Sequence, residues 1–163
     1  MEKKRYALLL FLIRICFAFT FLWAFFDKLF GLGFTTPVEK SWLMGTSPTT
    51  GFLLNATKGP FSSFFHTLAG SPFVDWLFML GLLLIGLALL FGVLMRLACY
   101  SGALLFLFMW LAVLPPEHNP LIDEHIVYLF TLLLLFHLQA GHSYGYGKQW
   151  NKLHFVKKYS WLE

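Results

Sequence analysis

An all-α integral membrane protein is what the sequence predicts: a four-transmembrane-helix bundle with short interfacial helices between the first and second spans. Three observations lead there. The 163 residues are 58% hydrophobic and 12% charged, whereas a soluble domain is nearer a quarter charged. The apolar residues gather into runs close to the ~20 residues that a helix needs to cross a bilayer. The cations lie at the chain ends and beside those runs, where they act as topology signals, so the formal charge of +4 is no nucleic-acid footprint. The length fits one domain, 1–163.

The first span is expected at about 6–26, roughly 30 Å of helix. Its basic start, MEKKR, is that of a signal peptide, but the apolar run continues past Arg14 to Phe26 without a small-residue cleavage site. It reads as an uncleaved span. Arg14 lies inside it, and an intramembrane arginine is costly unless it faces protein or a wet cavity. Lys28 follows fourteen residues later, close to four turns, so the two cations share a face with Phe17, Phe21 and Phe25 between them. Lys28 could equally snorkel to the interface.

Residues 35–72 form a connection with regular punctuation. Thr36-Pro37-Val38-Glu39 reads as a capping box, with Gly45 as the stop. Ser47-Pro48 opens a second short helix that ends near Gly59. Pro60 opens a third that ends at Gly70. These pieces are too short to cross, and they are expected to lie on the outer interface as a lid. The second span is expected at 73–95 and the third at 97–114, joined by a tight turn at Arg96. Ala88 and Gly92, and Ala98 and Gly102, supply small residues for close helix approach. The fourth span is expected at 120–140, followed by a basic tail, 141–163. Cys16 and Cys99 fall at different depths and read as free, buried thiols.

Four spans place both termini on one side. Lys3, Lys4, Arg5, Arg96, Lys148, Lys152, Lys157 and Lys158 share that side, which the excess of cations marks as cytoplasmic. Trp23 and Trp42 then fall near the outer interface.

The densest polar stretch is AVLPPEHNPLIDEHIVYLF, residues 112–130. Asn119 suits a helix N-cap and Pro120 the first helical position, with Asp123 and Glu124 in the first turn. On an ideal helix Asp123 and His125 point about 200° apart and cannot face one cavity together. These groups could simply cap a helix at a membrane surface, or they could exchange protons with a ligand. His137 lies deep on the same helix, either bonded to a backbone carbonyl or part of a proton relay.

Arg14 followed by FLWAFFDKL, the WLMGTSPTTGFL connection, LGLLLIGLALLFGVLMR and NPLIDEHIVY together resemble the DoxX/DoxD family of small prokaryotic membrane proteins, over most of the length. The first-span pattern often has Gly before the Lys, where this chain has Asp27. The resemblance implies a four-helix bundle in the cytoplasmic (inner) membrane. It also implies kinship with the membrane subunits of thiosulfate:quinone oxidoreductase, which work with a partner subunit. The function expected on that basis is quinone-linked oxidoreduction. Asp123 and His125 would be the catalytic proton carriers, with Arg14, Lys28, Trp23, Trp42, Asn119 and Tyr128 binding substrate. Quinone would be the diffusible electron acceptor, and the sequence has no metal, haem or flavin signature. Membrane lipid, a partner subunit or a second copy of the chain are the expected partners, and nucleic acid is not. The alternative is a non-enzymatic membrane protein that binds or transports a lipid or small solute, or scaffolds a membrane complex.

Overall fold

The computed structural model describes residues 2–162, with the side chains of residues 2–5 and Ser160 left out. The side chains of Lys3, Lys4 and Arg5, on which part of the charge argument rests, therefore lie outside the described residues, as do Met1 and Glu163. All regular structure among the described residues is helical.

Helix α1 runs unbroken from Glu2 to Phe30, because no Gly or Pro interrupts the sequence before Gly31. Gly31 takes φ +70° and its N–H donates to Asp27 O at 2.8 Å. The Asp27 carboxylate is buried and fastens the turn that follows. It accepts from Phe34 N, Thr35 N and Thr35 Oγ1 at 3.2, 3.0 and 2.6 Å.

The connection carries short helices where its punctuation places them. There are 3-10 turns at Val38–Lys40, Trp42–Met44 and Gly59–Phe61, and helices α2 (Thr50–Asn55) and α3 (Ser62–Leu68). Gly45 ends its turn in the left-handed region, but the Thr36–Glu39 capping box does not form. Pro37 occupies the cap position, with no side-chain hydrogen bond. Helix α4 (Pro72–Phe91) starts on a proline and stops at Gly92. Helix α5 (Met95–Val113) follows after a tight turn. Then come α6 (Glu124–His137), a 3-10 turn at Ala140–His142, α7 (Gly147–Trp150) and α8 (His154–Lys158).

Three helical stretches are long and apolar enough to cross a membrane: Tyr6–Phe30, Pro72–Phe91 and Met95–Val113. Helix α6 is apolar but has 14 residues, about 21 Å, against a hydrocarbon core of about 30 Å. It is shorter than the expected 120–140 span because its start lies further along. Asn119 Oδ1 accepts from Leu121 N and Ile122 N, both at 2.9 Å, which makes a turn, and Asp123 is the true N-cap. At the far end Gln139 turns the chain with φ +51°.

Helix α1 packs on α4, α4 on α5, and α5 on α6. Lipid tails are as apolar as leucine, so shape rather than burial of apolar area brings such helices together. Two glycines set the approach. A Cβ at Gly86 would stand 2.7 Å from Leu22 Cγ of α1, and one at Gly102 would stand 2.8 Å from Leu132 Cδ1 of α6. Phe17, Phe21 and Phe25 form the buried stripe of α1. Cys99 is buried as expected, whereas Cys16 is exposed on the outer face of α1.

Candidate functional site

The packed helices α1, α4, α5 and α6 have two chemically distinct ends. Trp110 Nε1, near the end of α5, donates to Leu121 O at 2.8 Å. The start of α6 therefore lies with the end of α5 and, because α4 and α5 join through a tight turn, with the start of α4. This is the Asp123 end. The end of α4, the start of α5 and the end of α6 make the opposite end, where Arg14 sits.

At the Asp123 end the carboxylate has two tasks. As N-cap, Asp123 Oδ1 accepts from His125 N at 3.0 Å and Ile126 N at 3.4 Å. Its Oδ2 lies 2.8 Å from His125 Nδ1, with side-chain exposures of 10% for Asp123 and 15% for His125. The expected 200° divergence does not hold, because Asp123 is extended (φ −130°, ψ −172°) and the helical repeat starts only after it. The carboxylate fixes Nδ1 as the protonated nitrogen and leaves Nε2 for exchange. The His125 ring centroid lies 6.2 Å from that of Phe106. Tyr128 packs on Phe106 at 5.3 Å and edge-on to Phe17 at 5.5 Å, and Phe21 meets Phe106 at 5.4 Å. The imidazole–carboxylate pair therefore borders an aromatic nest built from α1, α5 and α6.

The other expected site residues are dispersed. Trp23 stacks on Phe19 and meets Phe34 edge-on. Trp42 packs edge-on against Trp76, with ring centroids 4.7 Å apart. Lys28 is half-buried and makes no ion pair among the described residues. Asn119 is exposed and committed to its own turn. Among the described residues, no hydrogen bond or ring contact joins any of these four to Asp123 or His125.

Arg14 lies at the opposite end and is fully buried. Its Nη1 donates to Leu89 O (2.5 Å) and Leu90 O (3.0 Å), and its Nη2 to Ser143 O and Tyr144 O (both 3.2 Å). The first two carbonyls belong to the last turn of α4, where helices leave acceptors unsatisfied. Nε is buried with no partner among the described residues. Gly92 makes room for this clamp, since at φ +73° a Cβ there would stand 2.9 Å from Arg14 Nη1.

Asp75, which no sequence motif singles out, is a buried carboxylate in the first turn of α4. Its Oδ1 accepts from Ser47 Oγ (2.8 Å) and Thr49 Oγ1 (2.5 Å). Ser47 Oγ accepts from Thr50 Oγ1, which accepts from Gly70 N. A lone acid opening an apolar span, preceded by a Ser-Pro-Thr-Thr run, was the available signal. The chain matches no protein-family model, and no curated protein or solved structure shows significant similarity to it.

Proposed function

We propose that the chain is a four-span membrane protein of DoxX/DoxD type that binds a quinone at the Asp123 end and moves protons to it through Asp123 and His125. Helix α6, together with the segment leading into it, makes the fourth crossing, and the short helices of the connection lie on the membrane surface above the site. The observation that carries this reading is the shielded Asp123–His125 pair, 2.8 Å apart, beside the Phe106–Tyr128–Phe17 rings. Reduction of a quinone to its quinol takes two electrons and two protons. The electrons come from a donor such as thiosulfate, delivered with a partner subunit. His125 hands over a proton from Nε2 while Asp123 steadies the imidazolium, and the aromatic rings offer flat apolar faces to the quinone ring. Lys28 is the cation suited to an anionic donor. The setting is the cytoplasmic membrane of a prokaryote, with both termini in the cytoplasm.

The test is quinone binding and quinol formation by protein reconstituted with its electron donor. Asp123→Asn keeps the cap but removes the charge. Together with His125→Gln it is expected to lower quinol formation at least ~10²-fold, the scale of general acid–base catalysis, with quinone binding retained. Unchanged turnover in both variants overturns the reading. One observation favours the second reading, a non-enzymatic lipid- or solute-binding protein: all four Nη donors of Arg14 are spent on carbonyls, so Arg14 offers none of them to a substrate anion. An organic extract of purified protein containing lipid without quinone supports that reading.

A further inference from the structure

The Arg14 end carries a second constellation that the proposed activity does not use. A cavity of about 280 Å³ opens between the α4–α5 turn, the end of α6 and the segment through α7. Five polar side chains line it: Arg96, His137, Gln139, His142 and Asn151. Phe136 and Trp150 form part of its apolar wall.

Arg96 differs from Arg14 in the decisive respect. Its guanidinium carbon lies 5.4 Å from the centroid of the Phe136 ring, an arrangement that holds the side chain without using its N–H groups. Among the described residues it makes no hydrogen bond and no ion pair, so its donor fork is free. The histidines are oriented as well. His137 Nδ1 lies 2.8 Å from Leu133 O, so Nδ1 carries the proton and Nε2 is uncommitted. Asn151 Nδ2 lies 3.2 Å from His142 Nε2, so the amide donates there and the His142 proton sits on Nδ1, a second donor. Among the described residues no carboxylate lines the cavity. An adjoining open depression shares His142 and adds Lys148.

We infer that this cavity binds the phosphate group of an anionic amphiphile or of a soluble phosphate compound. A free guanidinium fork with the His142 Nδ1–H donor on the same cavity wall, and no competing acid among the described residues, suits a phosphate, which Arg contacts through paired hydrogen bonds. The position favours a headgroup. The cavity lies where α4 ends and α5 begins, at the limit of two helices long enough to cross a membrane, and Trp150 at its wall has the amphipathic ring enriched at that level.

The experiment uses full-length protein in neutral detergent and reads Trp150 fluorescence, with Trp150→Phe to identify the signal. The probes are short-chain phosphatidylglycerol, short-chain phosphatidylcholine and inorganic phosphate. Phosphatidylglycerol is expected to bind in 1:1 ratio and at least tenfold more tightly than phosphatidylcholine. Arg96→Gln is expected to weaken it by roughly tenfold, the scale of one lost charge-assisted hydrogen bond. Lys157→Gln, which removes the same charge from the exposed surface, should leave binding unchanged. Where inorganic phosphate binds and competes, the site takes soluble phosphates too; where only phosphatidylglycerol binds, the ligand is a lipid. If Arg96→Gln does not yield folded protein, His142→Gln carries the same expectation. The inference is overturned if neither phosphatidylglycerol nor inorganic phosphate binds, or if Lys157→Gln costs as much as the cavity variant. No quinone enters the measurement, so its outcome is independent of the proposed activity.

Discussion

Arg14 and Arg96 show how differently one residue type can be used at one end of a bundle. For Arg14 energy alone dictates the orientation from sequence: a guanidinium in lipid is too costly, so it faces protein, and it is fully buried. Which particular groups satisfy it was not legible. The acceptors are backbone carbonyls 75 to 130 residues away, and a carbonyl has no sequence signature. Arg14→Leu is expected to destabilise the protein by about 2–4 kcal/mol, because buried carbonyls lose a charged donor. Arg14→Lys, with fewer donors, should recover only part. Thermal unfolding in detergent measures both. At Asp123 the cap and the imidazole contact separate by substitution. Asp123→Ala should cost about 1 kcal/mol and Asp123→Asn only a few tenths, because Asn is an equally good N-cap. Equal losses in the two variants would show that the His125 contact, and not the cap, stabilises α6.

At the scale of elements, the order of the apolar runs was readable, but the turn expected at Arg96 lies at Gly92–Leu94, because Gly92 stops α4 in the left-handed region, and the helix start of α6 was not readable either. NPLIDE offers two cap residues in succession. The Asn-Pro pair looks like a start, yet Asn119 spends its oxygen on the next two free N–H groups, and Asp123 takes over as cap. The connection is also held by something the pattern hid, the Asp75 carboxylate gathering Ser47 and Thr49 from a loop 26 to 28 residues earlier. Asp75→Ala should therefore free the Ser47–Thr50 stretch and speed proteolytic cleavage in the segment leading into α2 several-fold. Asp75→Asn, which keeps an acceptor oxygen, should resist cleavage nearly as well as the parent. Gly102→Leu would force α5 from α6 by colliding with Leu132 and Phe21. The expected result is a loss of about 1–3 kcal/mol, read from the same unfolding curves.

For the molecule as a whole, the charge asymmetry gives an orientation that labelling can test. A cysteine placed in the Thr46–Thr57 stretch should react with an impermeant reagent in intact cells, and one placed after Lys152 should not. The reverse pattern moves the Asp123 end to the cytoplasm. The Arg14 clamp bears on how such a molecule is made. The chain emerges from the ribosome in order, so α1 reaches the membrane long before its partners exist. Leu89 and Leu90 follow 75 and 76 residues later, and Ser143 and Tyr144 follow 129 and 130 residues later. At ~5–20 residues per second this is a wait on the order of ten seconds, during which the arginine has no acceptor of its own. The first span is thus a poor guest of the bilayer until Ser143 and Tyr144 have been translated. A nascent chain arrested before Ser143 should be extracted and degraded faster than one arrested after Tyr146, whose N–H also bonds Phe91 O at 2.9 Å. Arrival of the Ser143–Tyr144 carbonyls and release of the first helix into lipid become a single event, so a product truncated before them carries its own signal for removal.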